Sequence, residues 1–201
     1  MYRFSRFVLL VILKIFFLFE VRGKENIPKK GGFILAANHV SYLDPVALGA
    51  ACPRAVHFMA RDNLFLKPVL KSWLKAVEVI PLKRDAADLS AIKTGLRIVY
   101  TGGGLALFPE GRRRTKVDMY LDPEPGVGFL AAKGGVPVIP AFIAGTYIAM
   151  PRQARSLRLA KISVCFGEEI HIERGRPYQE TSDLIMAKIK QLSINQGRFL
   201  N

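Results

Sequence analysis

The chain has 201 residues, half of them hydrophobic, with 30 Lys+Arg against 16 Asp+Glu and a formal charge of +14. That length is one domain with room for a full core. A mean hydropathy of +0.20 beside that charge argues against a plain nucleic-acid binder, which needs cations but not grease, and for an anionic membrane surface as partner.

The first twenty residues, MYRFSRFVLLVILKIFFLFE, place Arg3 and Arg6 before an apolar stretch from Phe7 to Phe19 that only Lys14 interrupts. A helix over that stretch rises about 20 Å, short of the roughly 30 Å hydrocarbon core. Glu-Val-Arg-Gly follows it, where a cleaved signal peptide would show small residues. Residues 1–20 therefore read as an uncleaved, membrane-associating helix in one leaflet, its cations reaching lipid phosphates. The competing reading is a first helix packed into the core.

GKENIPKKGG is turn-rich, and Phe33–Ala37 is a short buried strand by its continuous apolar run. Asp44-Pro45 opens a helix to about Ala51, with Asp44 as the expected N-cap and proline tolerated at the first position. Val56–Ala60 reads as a strand, Leu64–Lys75 as a helical region and Val77–Pro81 as a strand. Leu89, Ile92, Leu96 and Val99 predict a helix from Asp85 to Tyr100 that ends at Gly102–Gly104. Then come a strand at Leu105–Phe108, a helix at Gly126–Lys133, strands at Val136–Ala144 and Ile162–Phe166, and a last helix near Thr181–Asn195. Strands alternating with helices predict an α/β fold: a single domain, residues 21–201, with a central, mostly buried mixed sheet flanked by helices.

The stretch FILAANHVSYLDP carries the first chemistry. On an ideal helix His39 and Asp44 would lie about 140° apart and could not touch. They meet only if the segment between them is a loop from strand end to helix start, which is where α/β sheets place ligands. A neutral imidazole takes a proton from an alcohol near neutral pH, and a carboxylate on its other nitrogen fixes the tautomer. Taken alone, the pair reads equally as a turn residue and a helix cap.

LALFPEGRRR runs a buried strand into a sharp turn followed by Arg112, Arg113 and Arg114. Arginines there suit a phosphate through forked, charge-assisted bonds, and Glu110 could orient an arginine or a substrate hydroxyl. VPVIP sets Pro137 and Pro140 around a strand, a stiff wall with few donors. Arg61 and Arg84 follow two further strand ends, so several cations could share one anion pocket. The basic stripe Arg152, Arg155, Arg158 and Lys161 is either a membrane contact or a solvated face. Cys52 and Cys165 are isolated, with no CxxC or Cys/His cluster, so neither a metal site nor a disulfide framework is expected.

The ordered set His39/Asp44, FPEGRRR and VPVIP resembles the 1-acylglycerol-3-phosphate acyltransferase family, over roughly residues 22–146. The resemblance implies an acyl transfer from acyl-CoA or acyl-ACP to the free hydroxyl of 1-acyl-sn-glycerol-3-phosphate, giving phosphatidic acid, with no cofactor beyond the donor. It implies His39 as general base, Asp44 as its orienting partner, and Arg61, Arg84, Glu110, Gly111, Arg112 and Arg113 around the acceptor phosphate. Arg112 and Arg114 stand where the family has threonine and serine, which leaves open the acceptor and which arginine binds phosphate. The expected setting is peripheral or monotopic, on the cytoplasmic face of the cell membrane, without nucleic acid. The alternatives are another acceptor, such as glycerol-3-phosphate, another lysophospholipid or an aminolipid, and a non-catalytic membrane-binding relative.

Overall fold

A computed structural model describes residues 1–83, 88–115, 120–151, 154 and 156–197. Its seven strands are β1 (Glu20–Arg22), β2 (Phe33–Ala37), β3 (Val56–Arg61), β4 (Ile80–Leu82), β5 (Gly104–Leu107), β6 (Val138–Ala144) and β7 (Ser163–Phe166). They form one sheet in the order β1-β7-β6-β2-β5-β3-β4. All neighbours are parallel, as alternation with helices implies, except β6 and β7, whose antiparallel pairing makes the sheet mixed.

The helices are α1 (Tyr2–Phe17), α2 (Asp44–Ala51), α3 (Pro68–Ala76), α4 (Leu89–Tyr100), α5 (Pro125–Gly134), α6 (Thr146–Ala149) and α7 (Tyr178–Gly197). Strand β2 lies between β5 and β6 and is buried along its whole length, which explains its unbroken apolar run. Its alternate residues serve two cores. Phe33, Leu35 and Ala37 pack with α1 and α2 on one face, and Ile34 and Ala36 with α4, α5 and α7 on the other. The chain reverses its direction of travel across the sheet beside β2, so a crevice opens at the carboxyl ends of β2 and β5.

Some expectations shift for identifiable reasons. The helical region after β3 is divided at Pro68: a 3-10 turn covers Asp62–Leu66, Lys67 is extended, and α3 follows. Helix α4 starts at Leu89, with Asp88 accepting from the Ala91 N–H, while residues 84–87 lie outside the described residues. Strand β4 begins at Ile80, three residues later than the apolar run suggested. Strand β1 and the four-residue α6 have no clear signal in the sequence. Three residues offer no periodicity, and β1 exists through its pairing with the distant β7.

Of the two VPVIP prolines, Pro140 is part of the sheet itself. Pro140 is buried in β6 opposite Ala36. Between the pairs Val138–Ile170 and Ala141–Phe166, three steps along β6 match four on the returning chain. Pro140 sits at that bulge, where its missing N–H breaks no ladder bond, and its carbonyl still accepts from the Gly167 N–H.

Helix α1 is apolar on two sides. Leu13 and Phe17 are buried in the core, and the Tyr2 hydroxyl accepts from the Val56 N–H. Phe4, Phe7, Val8, Val11, Ile12, Ile15 and Phe16 form an exposed stripe at the spacing of one helical face. Among the described residues no helix is long and apolar enough to cross a membrane.

Helices α5 and α7 approach at Gly128, where an added Cβ would lie 1.9 Å from the Tyr178 carbonyl oxygen. Gly128→Ala is therefore expected to lower stability by about 2 kcal/mol or more, read as a fall in the urea midpoint.

Candidate active site

His39 lies two residues beyond β2 and Asp44 opens α2, with the intervening loop curled so that their side chains meet. His39 Nδ1 and Asp44 Oδ2 are 2.8 Å apart. The same oxygen accepts from the Val40 N–H at 2.6 Å and the Ser41 N–H at 2.7 Å, and Oδ1 accepts from the Thr146 hydroxyl at 2.6 Å. The Asp44 side chain is wholly buried. A carboxylate so placed only accepts, so the shared proton belongs on Nδ1. That tautomer leaves Nε2 as the basic nitrogen, with no hydrogen-bond partner among the described residues.

Asp44 is not the N-cap expected from the sequence. Leu43 occupies that position and α2 has no side-chain cap, because the Asp44 carboxylate turns back to the loop. Its oxygens hold the loop after β2 closed instead of the first helical turn. Phe108 stacks on the imidazole at 4.1 Å between centroids and 18° between planes, which fixes the ring plane.

The FPEGRRR segment divides into inward and outward parts. Glu110 is buried: its Oε1 accepts from the His39 N–H at 3.0 Å, and its Oε2 accepts from the Leu121 N–H at 3.4 Å. Arg114 is also buried, with Nε 3.0 Å from Glu110 Oε2, and its guanidinium lies over the Tyr120 ring. The Arg114 N–H donates to the His39 carbonyl. Both backbone groups of His39 are thus held by this loop. Gly111 makes the turn at φ 61°, a left-handed conformation that glycine adopts at no steric cost. Burial pushes the Glu110 carboxyl up, while the His39 N–H, Arg114 and the Leu121 N–H pull the other way.

The remaining arginines differ. Arg112 is exposed. Arg113 is half-buried, its guanidinium 3.5 Å from the centre of the Tyr42 ring, and its buried Nη1 has no hydrogen-bond partner among the described residues. Arg61 ends β3 on the same edge of the sheet as His39, one strand beyond β5, without a described contact to the other site residues. Arg84, Arg152 and Arg155 lie outside the described residues. Arg158 is exposed, and Lys161 pairs with Glu20 at 2.8 Å.

Sequence reasoning missed four supports. Asn38 continues β2 by bonding both backbone groups of Ile143 on β6 through its side chain. Thr146, Tyr42 and Phe108 complete the setting, and their only sequence signal is proximity to the motifs. The hydroxyl of Ser41 donates to the Met150 carbonyl, and burial raises the Cys52 thiol to about 11. Neither is poised as a nucleophile. A cavity of about 710 Å³ beside His57 and Arg97 opens at the opposite edge of the sheet, away from this site.

The acyltransferase family matches residues 18–144. The chain is 32% identical over 173 residues to the 1-acyl-sn-glycerol-3-phosphate acyltransferase of Bacillus subtilis, covering 85% of this chain and 83% of that one. It is 30% identical to the protein of the same name from Borreliella burgdorferi, over 63% of this chain and 51% of the relative. The fold is that of the 1-acyl-sn-glycerophosphate acyltransferase crystal structure from Thermotoga maritima, with a TM-score of 0.72 over 94% of this chain and 81% of that one, at 22% identity. The chain belongs to the acyltransferase family and is an enzyme of that class.

Removing the cation beside Glu110 tests the inward half of the site. Arg114→Met is expected to cost about 3–5 kcal/mol at neutral pH. Burial holds the Glu110 carboxyl above its ordinary range, so it takes up a proton more readily in the folded state and the deficit should shrink as the pH is lowered from neutral to acidic. Urea midpoints of variant and parent at the two pH values check both.

Proposed function

We propose that the protein transfers a fatty acyl group from an acyl thioester to the free hydroxyl of a 1-acyl-sn-glycerol-3-phosphate, giving phosphatidic acid. The carrying observation is the His39–Asp44 pair at 2.8 Å on a buried, fully engaged carboxylate. His39 Nε2 takes the hydroxyl proton as the oxygen attacks the thioester carbonyl. The tetrahedral intermediate then expels the thiolate, which receives that proton from the imidazolium. Asp44 stabilises the cation in between without taking the proton itself. The donor is acyl-CoA or acyl-ACP, and no other cofactor takes part.

Arg113 is the phosphate ligand in this reading, because its buried Nη1 lacks an acceptor and its guanidinium is already ordered on Tyr42. The exposed Arg112 is a second phosphate contact, and Arg61 contributes positive potential from the end of β3. Glu110 and Gly111 act through His39, as its support and as the turn that delivers the arginines. Acceptor specificity is tested with a panel of lysophosphatidate, glycerol-3-phosphate, other lysophospholipids and an aminolipid, each with both donors. Turnover confined to an acceptor without phosphate would overturn the assignment.

Replacing the base should reduce kcat by about 10²–10⁴ in His39→Ala, and Asp44→Asn should fall in the same range because it inverts the tautomer preference. Arg113→Ala should chiefly raise KM for the phosphorylated acceptor. Steady-state kinetics on purified protein separate the two patterns. Near-parental kcat in His39→Ala sinks the mechanism.

The lysophosphatidate tail stays in a leaflet, so the site must work at head-group height, as a peripheral or monotopic enzyme. The exposed stripe on α1, bordered by Arg3 and Lys14, supports that helix as the membrane-associating element, and the enzyme works on the cytoplasmic face of the cell membrane. Phe7→Glu with Val11→Glu alters only exposed positions. The pair should abolish flotation with anionic liposomes while leaving the urea midpoint near the parent's. Undiminished flotation would remove α1 from this role.

A further inference from the structure

Helix α3 and the turn before it have an apolar face that no described residue covers. Leu66 and Val69 are 80% and 87% exposed, Trp73 is partly exposed, and Leu74 alone is buried in α3. On a wheel of 100° per residue, Val69, Trp73, Leu70 and Leu74 fall in one arc, and Lys67, Lys71 and Lys75 fall in another beyond Leu74. All three lysines are exposed. An apolar arc with tryptophan set against an arc of lysines is the pattern of a helix lying in a lipid interface. A surface helix that served only the core would turn this arc inward.

Topology puts α3 on the same side of the sheet as α1. The step from β2 to β3 carries α2 on the face covered by α1, whereas the return steps carry α4 and α5 on the other face. The step from β3 to β4 runs in the same direction as that from β2 to β3, so right-handed crossover gives α3 the face of α2. We propose that α3 is a second membrane-contact element, which seats Leu66, Val69 and Trp73 in an anionic lipid surface alongside the exposed stripe of α1. The proposal rests on the membrane reading of α1 and adds a second point of contact, which sets the tilt of the crevice holding His39 over the leaflet.

Charge selects this occupant. A second copy of a chain carrying +14 would bring lysines against lysines. An acidic carrier protein would satisfy the lysine arc and leave Val69 and Trp73 in water. An anionic lipid surface matches both arcs, because the apolar side chains enter the acyl boundary and the lysines remain among head groups.

Trp73 is the only tryptophan of the chain, so the full-length protein reports on α3 directly. With vesicles of mixed phosphatidylcholine and phosphatidylglycerol, tryptophan emission is expected to move to the blue, and brominated acyl chains should quench it. Leu66→Ser with Val69→Ser should weaken partitioning at least several-fold. Lys67→Gln, Lys71→Gln and Lys75→Gln together should lower it by roughly fivefold per lysine, on anionic vesicles only. Circular dichroism confirms that these exposed changes leave the fold intact. Flotation with unchanged, unquenched Trp73 overturns the α3 proposal and leaves the α1 reading standing, whereas no flotation at all removes both. A Trp73 shift with acyl carrier protein or with rising protein concentration, and none with vesicles, replaces the lipid by that partner and overturns the proposal.

Discussion

The carboxylate of Asp44 is the constraint on which the site depends. Buried and taking four hydrogen bonds, it closes the loop after β2, starts α2 at a fixed distance from it and reaches Thr146 at the far end of β6. An ionised group without solvent is tolerated because every donor around it is preorganised. The tautomer of His39 then follows from the same four contacts, so the fold of the loop and the orientation of the imidazole share one cause. Asn38 adds a second clamp, tying the end of β2 to Ile143 of β6 before the loop begins.

The positive charge of the molecule divides into three kinds. Arg114 is structural: it neutralises Glu110, and its backbone N–H completes the hold on His39. Arg113 stacks on Tyr42, and its Nη1 has no hydrogen-bond partner among the described residues. Arg112 is freely solvated. Three consecutive arginines thus have three environments, because after the turn at Gly111 successive side chains point out, along the surface and inward. The cation at position 114 faces the interior, beside Glu110.

The apolar excess is similarly divided. Helix α1 contributes Leu13 and Phe17 to the core while presenting an equally apolar stripe to the outside. The two readings of that helix, core element and surface element, are therefore complementary faces of one cylinder. Exposed apolar area of that extent is unusual on a protein surface without a partner.

Periodicity and turn chemistry made most of the fold legible. The apolar run of β2, the 3.6-residue spacing in α4 and the proline at the start of α2 each act locally, and local rules recover them. The pairing of His39 with Asp44 was less legible: the stretch alone reads equally as a turn residue and a helix cap, and the ordered FPEGRRR and VPVIP motifs are what favour a pair. The amino-acid sequence by itself determined the element types, the central mixed sheet, the loop character of NHVSYLD and the family. Only the tertiary structure decided that Asp44 serves the loop instead of the helix end, that Pro140 sits at a bulge, that β1 pairs with β7, and which arginine faces inward. Most of those outcomes depend on partners distant in the chain, such as Glu110 for His39, Thr146 for Asp44 and Ser163 for Glu20. A side chain's alternatives are close in energy until such a partner arrives, and burial with that partner then selects one of them.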